Sequence, residues 1–144
     1  MNILVSACLL GIQCRYDGNG ILLEELNQLK KHHNLIPVCP EIYGGLQTPR
    51  QPAEICGDRV ITKDGKDVTY EFQKGAQETR KLAYFYDCSC AILKERSPSC
   101  GYGKIYDGTF SGKLIDGNGL TSDLLSCDGI HILGESNLSV LFER

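Results

Sequence analysis

The chain has no tryptophan, a single methionine, only three histidines and no excess of positive charge; its 144 residues carry a formal net charge of −3. Basic and acidic residues are mixed along it without a basic stripe, so duplex nucleic acid is not expected as a partner. No apolar run approaches the ~18 residues of a membrane span. The opening Met1-Asn2-Ile3-Leu4-Val5-Ser6-Ala7-Cys8 lacks the basic leader and long apolar stretch of a lipoprotein signal. Neither membrane association nor export is expected, and a cytoplasmic location is. There is no Gly-x-x-x-x-Gly-Lys loop, no dinucleotide-binding glycine fingerprint after the first apolar run, and no internal repeat. Chemistry that depends on ATP activation is thereby disfavoured.

What is present is ordinary for a globular domain: 42% hydrophobic and 23% charged residues. A chain of this length forms one domain over residues 1–144 and buries roughly 68–70% of its unfolded surface. Ile3–Ala7, Leu35–Val38, Ser89–Leu93 and Gly129–Leu133 are short apolar runs of buried-strand type, with Pro37 restricting the second to a sheet edge or a strand start. Leu22, Leu23, Leu26 and Leu29 recur at helical spacing, as do Val68, Phe72, Ala76, Thr79, Leu82, Ala83 and Tyr86. A short helix is expected at Leu120–Cys127, and loops around a strand at Arg59–Thr62. Strands alternating with helices predict a single α/β domain with a Rossmann-like, mostly parallel sheet and helices on both faces.

Eight cysteines are many for such a chain. A reducing cytosol keeps thiols free, so metal binding or catalysis becomes the working expectation, with most of the eight simply small buried hydrophobes. Open parallel sheets bind ligands beyond the carboxyl ends of their strands. Cys8 follows the first strand, Cys39 the second, and Cys100 lies seven residues past Leu93 of the third, so three thiols from distant segments are predicted to meet at one edge. Pro40, Pro98, Gly44, Gly45 and Gly101 around them suit backbone held close to a metal group. His32 and His33 follow a helix at the other end of the second strand from Cys39, and His131 lies inside the last strand; all three read as structural or solvated. A zinc site of three thiolates and water is left open, but a cuboidal cluster is the common way to use three thiolates while leaving one metal accessible.

The motifs Ser6-Ala7-Cys8-Leu9-Leu10-Gly11, Cys14-Arg15-Tyr16-Asp17-Gly18, Val38-Cys39-Pro40-Glu41, Pro52-Ala53-Glu54-Ile55, Leu93-Lys94-Glu95-Arg96-Ser97-Pro98-Ser99-Cys100-Gly101 and Tyr106-Asp107-Gly108-Thr109-Phe110-Ser111-Gly112 together resemble the DUF523 proteins, a family that includes the thiouracil desulfidases. The resemblance spans essentially the whole chain. It implies a [4Fe–4S] cluster with three cysteine ligands, Cys8, Cys39 and Cys100, and one open iron that takes sulfur from a small thiolated nucleobase or nucleoside while water replaces it. Glu41 and Ser97 match the positions that assist proton transfer. The alternative reading of Glu41 is a helix-start carboxylate, and that of Ser97 a turn residue. Arg50 and Asp17 are candidate substrate-binding residues or, alternatively, a surface pair. Cys14 is not among the family's ligands, and Cys56, Cys88, Cys90 and Cys127 read as packing residues. The 56–66 segment looks shorter than in many relatives, which bears on specificity if it reaches substrate. Either a monomer or a small homo-oligomer fits. Two rivals share part of this logic: a non-catalytic metal- or cluster-binding sensor module, and an enzyme that inserts sulfur into a tRNA base.

Overall fold

The structure, a computed structural model, describes residues 1–142. A four-stranded parallel sheet in the order β2-β1-β5-β8 forms the centre, built from β1 (Asn2–Ser6), β2 (Asn34–Val38), β5 (Cys90–Leu93) and β8 (His131–Gly134). Period-two alternation divides the side chains of these strands between two apolar layers. Ile3, Val5, Cys90, Ile92 and Leu133 face α1 (Glu25–Leu29) and the 3₁₀ stretch Glu135–Phe142, where Leu26, Leu29, Leu138 and Leu141 close the layer. Leu4, Val38, Ala91, Leu93 and Ile132 face α3 (Thr69–Phe85) and α4 (Leu120–Cys127) through Ala83 and Leu125. Helices therefore cover both faces, as expected, and Pro37 lies on the edge strand β2, where its missing N–H costs no ladder bond on the outer side.

Two antiparallel hairpins extend beyond the carboxyl edge: β3 (Ala53–Cys56) with β4 (Arg59–Thr62), and β6 (Lys104–Tyr106) with β7 (Leu114–Asp116). Of these strands the apolar pattern announces only β4. The first helix is also shorter than its leucine spacing predicts. Ile21 N donates to Cys8 O (2.7 Å), Leu23 N to Leu9 O (3.0 Å), and Leu22 bridges Leu10, so residues 21–23 are held extended along the Cys8 loop. Backbone pairing overrides local spacing there, and only Glu25–Leu29 coils.

The short helix α2 (Pro40–Tyr43) crosses α3 with backbone against backbone. A Cβ built on Gly75 would lie 1.9 Å from Pro40 O, and one on Gly44 would lie 1.9 Å from Glu71 O. Glycine inside a helix ordinarily costs about 1 kcal/mol relative to alanine; here the close approach demands it. Gly75→Ala is therefore expected to destabilise the protein by about 1–3 kcal/mol despite its better helix propensity, as overpacking does. A urea midpoint lowered at unchanged slope is the expected readout, and a raised midpoint would contradict so tight a crossing.

Candidate active site

Each of the three predicted thiols sits where a strand ends or just beyond. After β1 the chain turns through a 3₁₀ segment, Ala7–Leu9, with Leu10 N donating to Ala7 O at 3.0 Å. Cys39 is the extended residue that starts α2. Cys100 is fixed by Ser97, whose Oγ accepts from Cys100 N (2.6 Å) and Ser99 N (3.2 Å), and whose carbonyl accepts from Gly101 N (2.9 Å). Both bonds to Oγ use it as acceptor, which leaves the hydroxyl proton to point elsewhere. Ser97 is thus a turn residue and a cavity residue at once.

These loops and the two hairpins enclose a cavity of about 1090 Å³, lined by Cys8, Cys14, Cys39 and Cys100 together with Glu41, Arg50 and Ser97. The volume slightly exceeds the usual range for small-molecule sites, so there is room for more than a pyrimidine alone. Burial, and then the neighbouring Cys100, Cys14 and Cys39, push the Cys8 thiol up to about 12, while Lys94 pulls the other way. Burial and Cys39 push Cys14 up to about 12, against the pull of Arg50, and burial raises Cys100 to about 11 despite its hydrogen bonding with Ser6 and Ser99. Raised this far, the thiols favour their protonated form at neutral pH, and thiolate ligation of a metal would release those protons. Cys39 Sγ donates to Cys14 O at 3.8 Å. Lys94 Nζ, paired with Glu135 at 2.8 Å, supplies a cation on the Cys8 side.

Among the described residues, no three His, Cys, Asp or Glu side chains converge on the position of one metal ion, and no histidine lines the cavity. A mononuclear zinc site needs its donors within about 2.3 Å of a common point. A cluster asks for less convergence, because each thiolate binds a different iron. Two buried thiols, Cys8 and Cys100, and the half-buried Cys39, from three segments around a roomy cavity, suit the second demand.

Glu41 and Arg50 are not substrate-facing singles. The Arg50 guanidinium, 9% exposed, pairs with the Glu41 carboxylate and donates to Cys14 O (3.0 Å), Gln47 O (3.1 Å) and Thr48 Oγ1 (3.0 Å). Arg50 lines the cavity, and these bonds tie its guanidinium to Glu41 and to the Cys14 loop. Asp17 does not line the cavity. Its Oδ1 accepts from Asn19 N at 3.0 Å within a turn, and those bonds keep its carboxyl below the usual range. Asp17 and Arg50 are accordingly not a pair. Cys88 and Cys90 are buried, as packing residues should be, whereas Cys127 is exposed and Cys56 bonds to Gly108 O at 3.5 Å. Thr62, Lys63, Asp64 and Lys66 line the cavity, so the 56–66 segment does reach it.

The sequence pattern of the 2-thiouracil desulfurase family matches residues 3–137. The chain belongs to that family. It is 44% identical over 147 residues to the uncharacterized protein YbbK of Bacillus subtilis (strain 168), covering 95% of this chain and 97% of the relative. Among solved structures, the [4Fe-4S]-dependent thiouracil desulfidase TudS superposes with a TM-score of 0.92 at 45% identity, over 97% of this chain and 94% of the other. The resemblance to DUF523 proteins and the α/β fold, a parallel sheet flanked by helices, both stand. Membership in the desulfurase family accounts for a thiol-rich cavity in a chain whose described residues include no helix long and apolar enough to cross a membrane.

Proposed function

We propose that this protein removes sulfur hydrolytically from a thiolated pyrimidine, base or nucleoside, and releases it as sulfide, with Cys8, Cys39 and Cys100 holding a [4Fe–4S] cluster. The observation that carries the reading is the meeting of these three thiols with Glu41 and Ser97 around one cavity. When bound, such a cluster supplies an iron without a protein ligand, a Lewis acid with affinity for thiocarbonyl sulfur. Glu41 takes a proton from water as its oxygen attacks the ring carbon, and returns one to the departing sulfur or a ring nitrogen. Arg50 fixes the orientation of Glu41 and supplies the counter-charge. The Ser97 hydroxyl donates a hydrogen bond to the substrate, while its oxygen keeps the Cys100 loop in shape. Carbon–sulfur is exchanged for carbon–oxygen, one water is consumed, and no electrons are gained or lost.

Anaerobic reconstitution with iron and sulfide, followed by assay against 2-thiouracil, 4-thiouracil and their nucleosides, tests this directly. Sulfide release matched by formation of the oxygen-containing pyrimidine is expected. Iron-loaded protein that leaves the whole panel unchanged would refute the reading.

A further inference from the structure

One aromatic ring at the cavity is held with unusual care. Phe110 adopts φ +57°, a left-handed conformation that residues with a Cβ generally avoid. It is kept there by Glu54, only 9% exposed, whose Oε1 accepts from both Gly108 N (2.9 Å) and Phe110 N (3.1 Å). Gly108 sits so close to β3 that a Cβ would lie 2.8 Å from Ile55 O. Across the loop, Asp107 Oδ1 accepts from Thr109 N at 2.9 Å, and Asp107 N donates to Lys113 O at 3.0 Å. The surroundings therefore over-determine the conformation of Phe110, as they do where strained backbone serves a site.

The ring has no evident packing duty to explain this. Phe110 lines the cavity and is half-buried, yet among the described residues it belongs to none of the three buried apolar clusters. Phe72, another aromatic at the cavity, is 2% exposed and packed with Val60 and Val68. Flat heterocycles are recognised by stacking on aromatic faces, a sequence-tolerant contact that every base can make. We propose that Phe110 forms the face against which the pyrimidine ring stacks, and that Glu54 is the positioning residue that holds it there. This rests on the thiopyrimidine reading above and assigns that substrate its binding surface.

Steady-state desulfuration of 2-thiouracil by the iron-loaded protein, with calorimetric binding of uracil to the apoprotein as a second readout, tests the assignment. Phe110→Leu keeps apolar bulk and removes the aromatic face. It is expected to raise both the KM and the uracil Kd about ten-fold, with the loss falling on KM rather than kcat. Phe110→Tyr should restore both constants. Glu54→Ala should follow Phe110→Leu in KM at unchanged iron content, and Glu54→Gln should lie between it and the parent; if Glu54→Ala does not fold, the Phe110 variants decide alone. Wild-type KM and uracil Kd in Phe110→Leu would overturn the proposal, as would a larger effect of Tyr106→Leu, Tyr106 being another ring that lines the cavity. A parent protein that desulfurates normally beside an unaffected Phe110→Leu refutes only this inference. A parent protein that releases no sulfide refutes the function itself.

Discussion

Iron content falls from about four per chain to near zero, and desulfuration with it, when Cys8, Cys39 or Cys100 is singly replaced by alanine and the protein is reconstituted anaerobically. Each thiol comes from a different segment, so no neighbour in sequence can substitute for it. Cys14→Ala separates ligation from mere proximity. Cys14 lines the same cavity, but its place beside Cys39 and the Arg50-bound carbonyl reads as part of the wall. It is expected to retain the iron and the visible absorbance. Loss of iron in Cys14→Ala with retention in Cys8→Ala would reverse the ligand assignment. Trimming one buried thiol to a methyl costs too little to unfold the domain, so urea unfolding of the apoproteins should show all four variants folded; the loss of iron then reports ligation and not collapse.

The second large effect is expected at the Glu41–Arg50 pair. Glu41→Gln should keep its iron and lose about 10²–10⁴ in kcat, the usual scale for removing a positioned proton-transfer group. Arg50→Met leaves the carboxylate, 20% exposed, without its cation and should lower stability by about 1–3 kcal/mol, less than the cost of breaking a fully buried pair because solvent still reaches Glu41. The double variant removes both charges. It should recover part of that stability and none of the turnover, a non-additivity that unfolding and rate measurements on the four proteins expose as a cycle. Full activity in Glu41→Gln would leave Glu41 a structural residue only.

Much of this site can be read from residues alone, because two signals are strong. Strands buried on both faces read as continuous apolar runs, which marks Ile3–Ala7 and Ser89–Leu93 without ambiguity. Parallel order then carries Cys8, Cys39 and the Cys100 loop to one edge, an inference that needs no knowledge of any side-chain contact. The hairpin strands β3, β6 and β7 are three or four residues long and partly exposed, so they carry no periodic pattern to detect. The partner of Arg50 is invisible for a different reason. Glu41 and Arg50 are nine residues apart across an irregular loop, and only the completed path of that loop brings guanidinium to carboxylate. Asp17 shows the converse limit: a polar residue in a conspicuous motif suggests a ligand contact, whereas its Oδ1 accepts from Asn19 N in a turn and the residue does not line the cavity.

The contact of Gly44 and Gly75 has a mechanical consequence. With no side chain between the two backbones, α2 has nothing compressible to slide upon, and Cys39 and Glu41 ride at its start as if bolted to the longest helix. A tilt of α3 would swing thiol and carboxylate together, preserving the spacing within that pair while altering its aim toward Cys8 and Cys100, which line the same cavity from other segments. Residues along the outer side of α3, far from any reacting atom, thereby acquire leverage over the alignment of the two halves of the site.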